Sequence, residues 1–178
     1  MAKITREELL ARYAAGERDF SKLDLGWIDL SGAILREANF TEAKLGRSNL
    51  SGAIFEGANF SRANLNSITA RNTNFRNADL RGAAITYAQM NEAIFEGANL
   101  CDASLAESDL TRVNFEGAIL KNVSLDSAGL IDTNLCNADI EGVSVNDETV
   151  LDGTNYWQAI NYITSGIDDF IDDANHNQ

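Results

Sequence analysis

The sequence predicts an all-β solenoid, in which the chain turns through about 90° every five residues and closes a square coil in about 20. Between Phe20 and Val150, 26 of the 27 positions spaced five residues apart hold Leu, Phe, Ile, Met or Val, against 11 of the other 104 positions. An α-helix or a single strand would not keep this spacing on one buried side. The chain also has no proline, which indicates that its backbone N–H groups are needed for hydrogen bonds.

The residues between the large ones follow the same period. Alanine stands two residues before the large residue in 15 of the 27 repeats, which predicts a second inward position at a crowded corner. Ala70 interrupts the large residues, and Ile68 is expected to restore the missing volume. Residues 20 apart should stack, which predicts two aromatic ladders: Phe20, Phe40 and Phe60, and Phe55, Phe75, Phe95 and Phe115.

The repeat carries a recognisable pattern of alanine, then Asp or Asn, then a large residue. Five clear copies are Ala38-Asn39-Phe40, Ala58-Asn59-Phe60, Ala78-Asp79-Leu80, Ala98-Asn99-Leu100 and Ala138-Asp139-Ile140. With this pattern the chain resembles the pentapeptide-repeat family, and residues 9–20 are similar to the segment that precedes the repeats in cyanobacterial members. The resemblance implies a right-handed quadrilateral β-helix of about seven coils, a fold that has no common enzyme chemistry.

The two ends lack the repeat and are predicted to be α-helical caps. Residues 1–19 contain a capping box that begins at Thr5, and we expect a helix there that covers the first coil of the repeat segment 20–150. In residues 151–178, Thr154 is expected to cap a helix, with a second short helix after it. We expect the apolar residues of this segment to close the last coil or to join two copies end to end: Tyr156, Trp157, Ile160, Ile163, Phe170 and Ile171.

The residues that could carry catalysis or bind a metal are few. The single histidine, His176, lies close to the C-terminus, so no Ser-His-Asp or Cys-His arrangement on a rigid frame is expected. Cys101 and Cys136 are 35 residues apart, which places them on adjacent sides of the coil as free thiols. The sequence therefore predicts no catalytic residues, no cofactor site and no metal site.

The charge is unevenly distributed along the chain. The net charge is −13; residues 1–85 contain 12 Lys or Arg and 10 Asp or Glu, whereas residues 86–178 contain 2 and 17. Such a charge disfavours direct binding to nucleic acid or to an anionic membrane and favours a basic protein partner. No signal peptide or membrane span is recognisable, so a cytoplasmic location is expected. Charges 20 apart should pair vertically, as in Lys22-Glu42-Arg62, Arg36-Glu56-Arg76-Glu96 and Glu92-Arg112-Asp132.

Exposed apolar residues are the candidate protein-interaction surface. Ile34, Ile54 and Ile94 occupy the position that usually holds Asp or Asn, and their numbering places all three on one side of the coil. Trp27 and Tyr87 share another outward column with Arg47 and Ser67. Contiguous apolar patches of this kind mark interfaces, whereas scattered apolar residues do not.

Two functions remain open at this point. The favoured interpretation is a non-enzymatic interaction or regulatory module that presents the rigid faces of a β-helix to another protein, as a monomer or as a dimer through its C-terminal end. The alternative comes from the resemblance, because some pentapeptide-repeat proteins are acidic rods that inhibit a type II topoisomerase such as gyrase by mimicking DNA. Against that alternative, the carboxylates of the C-terminal half are distributed over all four sides.

Overall fold

The computed structural model describes residues 4–156 and 158–159, which form one continuous parallel β coil preceded by a helix. Helix α1 spans Arg6–Ala14, and a two-residue turn recurs every five residues from residues 21–22 to residues 141–142. No extended strand is present in this part of the chain; each side of each coil contributes one bridging residue. These parallel bridges join residues 20 apart, from Asp19 with Asn39 to Ser124 with Ser144. Four turns in 20 residues make the coil four-sided.

The backbone explains the absence of proline. In the repeat 39–43, the N–H of Asn39 donates to the preceding coil, and the N–H groups of Phe40 and Glu42 donate to the following coil. The N–H of Ala43 closes the turn on the Phe40 carbonyl, and that of Thr41 donates to Asn39 Oδ1 at 3.0 Å. All five N–H groups are therefore used, and the last of these bonds explains why Asp or Asn commonly precedes the large residue.

The core is a single apolar column inside the coil. The central residues from Phe20 to Ile140 are buried, and the alanines two positions earlier are buried with them. Both predicted aromatic ladders are confirmed, with ring centroids 4.8 Å apart for Phe75 and Phe95 and 4.9 Å apart for Phe40 and Phe60. The two ladders also touch each other edge to face, as Phe55 does with Phe60 at 5.1 Å. Offset and edge-to-face contacts of this kind add stability beyond area burial.

Helix α1 covers the first coil and satisfies its carbonyl groups. Leu9 is fully buried in the core, and Thr5 Oγ1 accepts the Glu8 N–H at the start of the helix. Arg6 donates to the carbonyls of Asp29 at 2.8 Å and Ser31 at 2.9 Å. The corresponding carbonyls of the next coil accept backbone N–H groups from the first coil. The side chains of α1 thus replace a coil that is missing below the first one.

The prediction that Val150 is a central inward residue is wrong. One extra residue, Asn146, shifts the register, so that Val150 bridges Gly129 and is 41% exposed. Thr149 and Leu151 take the two inward positions instead. An unbroken spacing of five would have turned Glu148 into the core, and a buried carboxylate without a partner costs several kcal/mol.

The register shift also changes the predicted C-terminal boundary. Asn155 bridges Asn134, 21 residues away, so the coil continues past residue 150. Thr154 is not a helix cap, since its Oγ1 points inward and donates to the Leu130 carbonyl at 2.7 Å. The helices expected further on lie outside the described residues.

The aromatic ladder offers a test of the inward and outward assignment. Replacing Phe75 by Ala should lower the free energy of unfolding by about 3–5 kcal/mol, because it opens a cavity between Phe55 and Phe95. The matched control is Asn77→Gly in the same coil, at an outward position with a φ of 54°, and it should change stability little. Urea unfolding of both variants measures the difference; equal losses would contradict the assignment.

The extra residue offers a second test. Deleting Asn146 returns the coil to regular fives with Thr149 and Leu151 still inward, so the loss is limited to the local hydrogen bonds of Asn146, each worth about 0.5–1.5 kcal/mol. Deleting Asn134, a bridging residue of the same type, should instead turn Leu135, Ile140 and Val145 outward and cost about 3 kcal/mol or more. Chemical unfolding compares the two; a larger loss from the Asn146 deletion would show that this residue is not a bulge.

Candidate interaction surfaces

One side of the coil carries a short apolar column. We call it the isoleucine face: the outward column Ile34, Ile54, Asn74 and Ile94, whose members bridge one another in that order. Ile34 is 52% exposed, and Ile54 and Ile94 are half-buried. The structure therefore places the three predicted isoleucines on one side, with Asn74 between the second and the third.

The surroundings of the isoleucine face are small on one flank and charged on the other. Gly32 and Gly52 lie at the preceding corner, where they add no side chain. At the following corner Arg36 pairs with Glu56 at 3.1 Å, and Arg76 pairs with Glu96. An apolar centre with a polar rim is the composition of protein interfaces.

A second candidate surface lies along one corner of the coil. Trp27 is 70% exposed and Tyr87 is 58% exposed, three coils apart in the same outward column. Arg47, between them, stands over the Trp27 ring with its guanidinium carbon 5.0 Å from the centroid. The Tyr87 hydroxyl donates to the Glu107 carboxylate, one coil further on, and this hydrogen bond raises the pKa of Tyr87 above its ordinary value.

The structure keeps these two candidate surfaces apart. The corner that carries Trp27 and Tyr87 does not border the isoleucine face, because the side of Asp29 and the corner at residues 31–32 lie between the Trp27 column and the Ile34 column. Sequence reasoning identified the columns from the spacing of 20. It did not include Glu107 in this surface, although the spacing of 20 places Glu107 one coil after Tyr87. It also did not include Glu148, because the register shift changes the position of this residue; the Glu148 carboxylate accepts a hydrogen bond from Ser127 Oγ at 2.8 Å.

Most of the predicted vertical ion pairs are present, but among the described residues Arg62 does not pair with Glu42, and Arg76 does not pair with Glu56, within 4.0 Å. Lys22 lies 3.9 Å from Glu42, and Arg112 lies 3.7 Å from both Glu92 and Asp132. All of these side chains are exposed, so each pair contributes about 0 to 1 kcal/mol. Their main effect is to align neighbouring coils.

The interior shows how the inward hydroxyl groups are accommodated. Ser48, Thr73, Ser108 and Thr133 each donate to a carbonyl of the preceding coil, at 2.8–3.0 Å. Within residues 4–156 and 158–159, every buried side-chain nitrogen or oxygen has a hydrogen-bond partner, and no three His, Cys, Asp or Glu side chains converge. Cys101 and Cys136 are free and half-buried. These inward hydroxyl groups are therefore part of the packed interior of the coil.

The residues predicted to cap the last coil are only partly described. Tyr156 is half-buried against the core. Trp157, Ile160, Ile163, Phe170 and Ile171 lie outside the described residues. No helix among the described residues is long and apolar enough to span a membrane.

Comparison with known families agrees with the geometry of the coil. The family model for pentapeptide repeats matches eight copies, in residues 19–57, 58–97, 88–122 and 103–142. The chain belongs to the pentapeptide-repeat family. Its coil is accordingly a right-handed β-helix, as the resemblance implied. No curated protein is similar enough to count as a relative.

Solved structures with the same repeat are similar over most of the chain. A trypsin-treated variant of QnrB1, a plasmid-mediated fluoroquinolone resistance protein, is 19% identical, with 80% of this chain and 70% of that chain covered and a TM-score of 0.55. HetL, involved in heterocyst differentiation regulation in the cyanobacterium Nostoc sp. strain PCC 7120, is 23% identical, with 88% and 94% covered and a TM-score of 0.38. Rfr23 from the cyanobacterium Cyanothece 51142 is 25% identical, with 79% and 95% covered and a TM-score of 0.32.

The contact between Tyr87 and Glu107 predicts a titration that depends on this pair. Because the carboxylate accepts the phenolic proton, Glu107→Gln should move the pKa of Tyr87 down towards its ordinary value. The raised pKa also means that this bond contributes at neutral pH and is lost as the pH rises through the pKa of Tyr87. Carbon-13 NMR of labelled tyrosine measures the shift, with Asp126→Asn as the control. An unchanged pKa in Glu107→Gln would disprove the contact.

Proposed function

We propose that this protein is a non-enzymatic, cytoplasmic interaction module whose isoleucine face binds another protein. The observation that carries the proposal is the position of the isoleucines. Elsewhere in the repeat, Asp or Asn at this position accepts the N–H of the residue two places on, as Asn39 does for Thr41. Isoleucine has no oxygen to accept it, yet it occurs three times on this side of the coil.

The surroundings of the isoleucine face favour binding over packing within the chain. Ile34 and Ile54 are adjacent in one column, so their side chains form a continuous apolar patch beside the glycines of the preceding corner. The charged rim is already paired within the chain through Arg36 and Glu56, so a partner would not leave an unpaired charge there. Apolar anchors at the centre of such a patch carry most of the binding energy at interfaces.

The charge of the chain favours a basic partner. A net charge of −13 steers a positively charged protein towards the rod and speeds the encounter, while the apolar contact holds the complex. In this proposal the fold supplies rigidity and the outward residues supply specificity.

The proposal is tested by comparing variants of matched chemistry. Ile34→Asn and Ile54→Asn together place the family's own residue at both positions, so the coil should remain folded. Ile119→Asn makes the same change on another side, at a residue that is 37% exposed. Quantitative affinity capture from the native cytoplasm should retain a protein with the wild type and with Ile119→Asn and lose it with the double variant. Equal capture by all three would refute the isoleucine face as the binding site.

The alternative function is inhibition of a type II topoisomerase by an acidic rod. Its support is the net charge of −15 over residues 86–178 and the likeness in fold to QnrB1. Part of this charge is neutralised locally, because Arg112 and Lys121 each contact two carboxylates. A supercoiling assay with purified gyrase separates the two functions: inhibition at stoichiometric protein supports the alternative, and no effect supports the interaction module.

A further inference from the structure

The side of the coil opposite the isoleucine face has a charge that changes sign along the rod. We call it the dipolar face: the outward columns that begin at Asp24 and Gly26, with the corner columns that begin at Lys22 and Trp27. Its first three coils carry the cations Lys22, Lys44, Arg47 and Arg62 and the acids Asp24 and Glu42, a net charge of +2. Its later coils carry no Lys or Arg and five acids: Asp102, Glu107, Asp126, Asp147 and Glu148.

Most charges of the dipolar face are not neutralised within the chain. Among the described residues, Lys44, Arg47 and Arg62 form no ion pair within 4.0 Å, and Arg47 stacks on Trp27 instead. The acids of the later coils bond uncharged groups: Asp102 accepts from Asn122, Asp126 from Ser124 and Glu148 from Ser127. These charges remain free to pair with another molecule.

We propose that two copies of the chain pack side by side and antiparallel through the dipolar face. A two-fold axis perpendicular to the rod places the basic coils of one copy on the acidic coils of the other, so the charges of the two copies are complementary. A parallel pair would bring like charges together. Joining the rods through their C-terminal ends would likewise bring the two acidic halves together.

The column of Lys22 sets the register of this dimer. The axis crosses the fourth coil, at Gly82 and Ala84. Arg62 of each copy therefore meets Asp102 of the other, and Arg47 meets the coil of Asp126. The pairing places guanidinium groups opposite carboxylates. Screening beyond about 8 Å at physiological salt limits the repulsion between the remaining charges of the two copies.

The dimer goes beyond the proposed function and does not depend on it. Because the isoleucine face lies on the opposite side of the coil, it stays outside the contact in both copies. The dimer therefore presents two isoleucine faces pointing away from each other, which makes the module bivalent towards a partner with two binding sites.

Charge reversal tests the contact in purified protein. Arg62→Glu and Asp102→Arg should each raise the dimer dissociation constant about tenfold or more in sedimentation velocity, and the double variant should restore it, because these two residues face each other across the axis. Arg71→Glu makes the same charge change at another corner and should have no effect. A wild type that stays monomeric at all concentrations, equal loss from Arg71→Glu, or no rescue in the double variant would overturn the proposal.

Cross-linking tests the position of the axis. In a background with Cys101→Ser and Cys136→Ser, Ala84→Cys should be joined to its own copy by a short bismaleimide, because residues on a two-fold axis face themselves. Asn91→Cys, at a corner of the same coil outside the dipolar face, should not cross-link. Ile34→Asn with Ile54→Asn should still form this dimer, which separates failure of the proposed function from failure of the dimer. Failure of Ala84→Cys to cross-link would overturn this register.

Discussion

The structure depends on backbone hydrogen bonds that join each coil to the next. In a regular repeat two N–H groups donate towards the C-terminal end, one donates towards the N-terminal end, and one closes the turn. The fifth is accepted by an Asp or Asn side chain where one is present, as at Asn39. Since the backbone holds the coils together, three of every five side chains point outward and are free to vary. Rigid faces with variable chemistry follow directly from this arrangement.

The same backbone hydrogen bonds need other partners near the two ends of the coil. At the first coil, Arg6 and Tyr13 of α1 bond carbonyls that have no preceding coil. Near the other end, Asn146 is accommodated as an extra residue, and its Oδ1 accepts the Ser127 N–H at 2.8 Å. The ladder lengthens its spacing from 20 to 21 there, because a shift of register is less costly than a carboxylate in the core. The chemistry of the inward residues therefore decides the register more strongly than the spacing of five does.

The outward residues explain why this fold suits an interaction module. Each outward column is fixed to the backbone at nearly constant spacing, so apolar or charged side chains of one column act together. The isoleucine face concentrates apolar area on one side, and the dipolar face separates charge on the opposite side. Because the two faces do not overlap, a partner and a second copy can bind the same rod. Specificity then lies in the column pattern, which the fold itself does not dictate.

The sequence by itself determined the fold, since a period of five with alanine at a fixed offset fits one buried arrangement: Phe55, Phe75 and Phe95 stack as their spacing of 20 requires. It also determined which residues share a column, among them Ile34 and Ile54. Only the tertiary structure decided the register after Val145, because Glu148 and Thr149 compete for one inward position and the period alone favours the wrong one. It alone decided that Arg47 stacks on Trp27 and that Glu107 bonds Tyr87, because these contacts depend on side-chain conformations that spacing leaves open.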